Sequence, residues 1–84
     1  MYLQNKQMEN LLSRITIDED ICGGRPTIKG TRITVKTILE YIAAGETITN
    51  IVQAYPALTK EDVLASVAFA AKLLEPDFTI KEVA

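Results

Sequence analysis

The spacing of hydrophobic positions along the chain changes near residue 34. Before it, Ile15 and Ile17 alternate with Arg14, Thr16 and Asp18. This period of two in β-branched residues predicts a short strand over 14–18 with one buried face. After it, Val35, Ile38, Leu39 and Ile42 recur at the spacing of one helical stripe, with Thr34 placed as an N-cap and Gly45 as a C-terminal stop. Thr47 opens a second, short helix carrying Ile48, Ile51, Val52 and Tyr55, which Pro56 ends. Thr59 opens a third, with Glu61 and Asp62 against the positive helix end, and Pro76 predicts its stop near Glu75.

Between strand and first helix, Gly23, Gly24 and Pro26 predict a tight loop. Thr27-Ile28 and Arg32-Ile33 flank Lys29-Gly30-Thr31 as a small hairpin, Gly30 serving the turn. Residues 1–13 read as an N-terminal extension, frayed or weakly helical, with Met8 an alternative start to Met1. The fold expected is mainly α with a small β N-terminal part: one domain over 14–84, with a β and loop segment at 14–34, a three-helix bundle at 35–75 and a tail at 76–84.

The third helix breaks the amphipathic rule. Val63, Leu64, Ala65, Val67, Ala68, Phe69, Ala70, Ala71, Leu73 and Leu74 leave it almost no polar face. A chain of 84 residues builds a small core. The reading is therefore a homodimer or partner interface that uses Phe69 and Leu73, with Phe78 and Ile80 from the tail. The competing reading is that the N-terminal strand and the tail wrap this helix within one chain.

Composition narrows the chemistry. The chain has no histidine and one cysteine, Cys22, which excludes a Cys-His nucleophile, an intrachain disulfide and a thiolate metal cluster, and gives no reason to invoke an oxidising compartment. A cytoplasmic, non-enzymatic protein without cofactor is expected. Asp18, Glu19 and Asp20 lack the glycine spacing of a calcium loop and read as a solvated turn. The glycines lack the spacing of a phosphate loop.

The net charge is −2, yet Arg25, Lys29, Arg32 and Lys36 fall within residues 23–36 with no acid among them. Such a patch suits a phosphate backbone, a small anionic ligand or an acidic groove on a protein. Alternatively, the glycines and Pro26 serve the turn and the arginines pair with the domain's own acids; Arg32 in particular is expected to be structural. The helices around Pro56 match a helix-turn-helix, whose second helix ordinarily enters the major groove. Here that helix opens with Glu61 and Asp62, so the chain alone is expected to bind DNA weakly.

The segments RITIDEDICGGRPTIKGTRITVKTILEYIAAG and IVQAYPALTKEDVLASVAFAA closely resemble the bacterial family known as domain of unknown function 433. The distinctive positions are Gly24, Pro26, Ile28, Gly30, Arg32, Gly45, Tyr55, Pro56, Leu58, Thr59, Glu61 and Asp62. The resemblance implies a homeodomain-like or winged-helix-like fold and the role of an antitoxin partnering a PIN-like ribonuclease toxin; a DNA-binding autoregulator using the basic segment is the alternative. Thr49 and Asn50 depart from the family pattern, which often has carboxylates there, and the tail after Leu74 has no pattern to match. The family supplies no catalytic residues to carry over.

Overall fold

The computed structural model describes residues 2–76, with side chains from Lys6 onward. Four helices surround a two-stranded antiparallel sheet: α1 (Tyr2–Leu12), β1 (Ile15–Thr16), a 3₁₀ turn (Cys22–Gly24), β2 (Thr27–Ile28), α2 (Val35–Ala43), α3 (Ile48–Ala54) and α4 (Lys60–Leu73). The three helices expected from sequence are α2, α3 and α4.

Their boundaries follow from local chemistry. Each begins with a threonine whose hydroxyl accepts from the backbone N–H three residues on: Thr34 from Thr37, Thr47 from Asn50 and Thr59 from Asp62. At α4 the exchange is mutual, since Asp62 Oδ2 accepts from the Thr59 N–H at 2.9 Å, completing a capping box. The end of α2 is a Schellman motif. Glu46 N–H donates to the Tyr41 carbonyl (3.0 Å) and Gly45 N–H to that of Ile42 (2.9 Å), which requires the positive φ of +92° at Gly45. Tyr55-Pro56-Ala57-Leu58 then forms a turn closed by Leu58 N–H donating to Tyr55 C=O. Helix α4 stops at Leu73, two residues short of the expected end, as Leu74 and Glu75 close back on Ala71 and Lys72.

The core is aliphatic and lies where the last three helices meet β2. Ile38, Ile51, Leu58 and Val63 are buried with Ile28, and Ile15, Ile33, Tyr41, Ile42, Val52 and Tyr55 pack around them. Burying one such aliphatic side chain is worth about 1.5–3 kcal/mol.

One expectation sharpens here and one changes. Of the frayed or weakly helical forms expected for the N-terminal extension, residues 2–12 take the helical one as a continuous helix, and α4 packs against α1 more extensively than against α2 or α3. Met8, Leu11 and Leu12 are half-buried accordingly. The physical reason is α4 itself: its apolar surface extends beyond what α2 and α3 cover, and α1 packs against a further part of it. Val63, Ala65 and Ser66 are fully buried, and the Ser66 hydroxyl donates to the Asp62 carbonyl at 3.3 Å. The change is at β1, which ends at Thr16. Ile15 pairs with Ile28 and faces the core, but Ile17 lies past the paired register and is 61% exposed.

One ion pair joins the N-terminal segment to α4. Arg14 Nη1 donates to Asp62 Oδ1 at 3.1 Å, across a sequence separation of 48 residues. Asp62 is buried, so it completes the α4 cap with one oxygen and holds Arg14 with the other. Asp62→Ala removes both functions. A capping side chain contributes about 1 kcal/mol and a charge-assisted hydrogen bond about 1.5–3 kcal/mol, less where half-exposed Arg14 is solvent-screened. The expected outcome is a loss of about 2 kcal/mol in chemical denaturation, with Arg14→Ala costing less because the cap remains.

Candidate functional site

The acid-free stretch is built on backbone geometry. Cys22, Gly23 and Gly24 have successive positive φ angles of +53°, +66° and +85°. Gly24 N–H donates to Ile21 C=O, and Arg25 N–H to Cys22 C=O. Such torsions are costly for side chains with a Cβ, which accounts for the glycines here. Pro26 follows, its carbonyl accepting from Val35 N–H at 2.9 Å and thereby fixing the start of α2 beside the loop.

The segment then turns back. Ile28 N–H donates to Ile33 C=O (3.0 Å) and Thr31 N–H to Ile28 C=O (2.9 Å), with Gly30 at φ +82° between them. Thr31 Oγ1 locks the turn by donating to Ile28 C=O and accepting from Ile33 N–H. Thr27, fully buried, pairs with Thr16 on one side and bridges to Thr34 on the other. The cations are therefore carried on a rigid support.

The structure sorts the four cations into two groups. Lys29 and Arg32 project from the turn, both exposed. Among the described residues, neither they nor Arg25 has an ion-pair partner. This corrects the structural role expected of Arg32: no described carboxylate meets its side chain, and only its backbone carbonyl is engaged, accepting from Cys22 Sγ at 3.3 Å. Lys36 pairs with Glu40 at 2.9 Å, one turn along α2, in an exposed contact worth a few tenths of a kcal/mol.

Arg25 and Lys36 instead line the mouth of a groove of about 650 Å³ between α2 and the C-terminal half of α4. Val35, Leu39 and Ala43 form one wall and Phe69, Ala70 and Leu73 the other. Two of the residues singled out from sequence as an interface, Phe69 and Leu73, thus lie in the same hollow as two of the cations. Phe78 and Ile80 lie outside the described residues. Sequence reading missed Leu39 and Ala43 as groove residues, although both lie on or beside the α2 stripe; the signal was a helical face with no intrachain partner.

The acids at 18–20 form a turn in which Asp18 Oδ1 accepts from Asp20 N–H at 2.8 Å. No helix of the described residues is long and apolar enough to cross a membrane.

A small, mainly helical domain with a short antiparallel sheet, a basic turn and an apolar groove is the class these features define. The family model described as "Protein of unknown function (DUF433)" matches residues 15–70, and the chain belongs to that family. A crystal structure of a DUF433 member from Anabaena variabilis superposes with a TM-score of 0.67 at 32% identity, covering 84% of this chain and 68% of that one. The uncharacterized protein y4eO of Sinorhizobium fredii is 37% identical over 54 residues, which are 63% of this chain. They are 24% of y4eO, so the chain spans about a quarter of the length of that curated relative.

The loop geometry and the cations should separate by mutation. Gly24→Ala forces a Cβ into a φ of +85° and should cost about 1–2 kcal/mol. Arg32→Ala removes an exposed side chain and should leave the melting midpoint nearly unchanged, within about 0.5 kcal/mol. Thermal melts of the two variants beside the parent check both.

Proposed function

We propose that this chain is a non-enzymatic, antitoxin-like interaction module whose basic turn, Lys29 and Arg32 with Arg25 beside it, meets an acidic partner of the PIN-like ribonuclease kind. The observation that carries this reading is the combination of free cations and a rigid support. Three exposed cations have no described internal acid to neutralise them, and the turn that holds two of them is tied at Ile28, Thr31 and Ile33. Preorganised charge loses little conformational freedom on binding and speeds encounter with an oppositely charged surface. Inhibition in this scheme is steric and electrostatic, and no residue of the chain performs a chemical step.

DNA is the second reading, and one observation favours it more than the sequence did. Asp62 is buried and its two oxygens are bound to Arg14 and the Thr59 N–H, so it does not face outward as a free repelling charge at the start of α4. Glu61 and Lys60 remain exposed there and oppose one another. The acidic repulsion expected of this helix is correspondingly weaker, in a homeodomain-like or winged-helix-like arrangement.

Co-purification with the product of the neighbouring reading frame, where that is a PIN-like protein with clustered acids, tests the first reading. Lys29→Glu with Arg32→Glu should weaken the complex by roughly tenfold or more while leaving the melt unchanged. Undiminished binding by the double variant would remove the basic turn from the interface. Nanomolar, salt-sensitive and sequence-specific DNA binding by the protein alone would put the regulator reading first.

A further inference from the structure

The apolar side chains left exposed on this chain are concentrated at one place. Of the four large hydrophobic residues that stand out to solvent among the described residues, three are on or just past α4: Val67 at 44%, Leu73 at 45% and Leu74 at 68%. Leu73 lines the groove between α2 and α4 together with Phe69 and Ala70, and Leu74 follows it in the chain. Exposed Leu73 and Leu74 thus stand at the edge of an apolar hollow.

The charges of this end and the hollow are complementary. The groove is lined at one end by Arg25, Lys36 and the start of α2, whose helix dipole adds positive potential although Val35 and Thr37 N–H are already bonded to Pro26 and Thr34. Glu40 offsets Lys36, leaving Arg25 as the cation without an internal partner among the described residues. The end of α4 has the opposite character: Glu75 follows Leu73 and Leu74, and the last carbonyls of the helix add negative potential. Lys72 holds Glu75 at 3.1 Å, but both remain substantially exposed, so that carboxylate is open to a second cation. Ala43 and Ala70 leave room in the groove for leucines to approach the helices.

We infer that a second copy of this chain fills the groove: the Leu73-Leu74-Glu75 end of one copy enters the α2–α4 groove of the other, with Glu75 facing Arg25, and the exchange is reciprocal about a two-fold axis. A surface that carries both a projection and its matching hollow closes on itself as a dimer, since each copy satisfies the other and no site is left to propagate a filament. The partner is fixed by this self-complementarity, and the inference goes beyond the antitoxin reading without depending on it. In the dimer Arg25 is taken up by Glu75, while Lys29 and Arg32, which do not line the groove, stay open on both copies for an acidic partner.

Sedimentation equilibrium of the full chain tests this without any other protein. A dimer is expected at micromolar concentration. Leu74→Asp should raise its dissociation constant roughly a hundredfold by placing a carboxylate in an apolar contact, and the circular dichroism melt should hold because Leu74 is exposed in the single chain. Arg25→Glu and Glu75→Lys should each weaken the dimer, and the two together should recover most of the loss. A monomer at all accessible concentrations, as expected if the tail or an unrelated helix occupies the groove, overturns the inference. So does a dimer indifferent to Leu74→Asp, or a double variant weaker than either single one.

Discussion

The structure depends on covering α4. A 14-residue helix with apolar or small side chains nearly all round cannot face water on any broad side, and α1, α2, α3 and β1 all pack against it. Ala65, Ser66 and Ala68 keep its surface shallow enough for neighbours on several sides, and Val63 fills the centre. In a chain this short, spending nearly every element on one helix leaves little else to bury. It also explains why Asp62 is buried with two partners: a carboxylate at the covered end of α4 must have its oxygens satisfied by the helix cap and by the segment that crosses it. Coverage fails toward the other end, where Leu73 and Leu74 emerge and the groove opens.

What could be read from the residues was what is local. Thr34, Thr47 and Thr59 were legible as caps because a hydroxyl before an apolar stripe has one good use, and Gly45 because only glycine takes its torsion cheaply. Helix α1 was legible only weakly. Its sequence, YLQNKQMENLL, has no acid in the first turn, no base in the last and a weak stripe, so its order comes from the face α4 offers rather than from its own pattern. The Arg14–Asp62 pair was hidden for the same reason, joining residues far apart in the chain. Ile17 misled because alternation predicts a face only while the strand stays paired, and β1 ends one residue earlier.

The candidate site shows the same division. The acid-free run was visible as composition, but its separation into a basic turn and a groove mouth was not, because that depends on Pro26 C=O anchoring Val35 and setting α2 beside Arg25. The apolar excess of the third predicted helix was visible too, and part of it, around Phe69 and Leu73, read as an interface. The structure shares it among α1, α2, α3 and β1, α1 taking the largest part, and leaves Val67, Leu73 and Leu74 exposed. What remains once the fold has used α4 has two parts, exposed cations on a tied turn and an open apolar hollow.

The central claim, that α4 needs α1 as a cover, is tested most directly by comparing the intact chain with one beginning after residue 13 in thermal melts, with a dye that fluoresces on exposed apolar surface. The account predicts a markedly lower or non-cooperative transition and strong dye binding for the shortened chain, because the side of α4 that carries the most contact is bared. An unchanged midpoint with no dye binding would show that α4 is covered without α1 and would contradict the account.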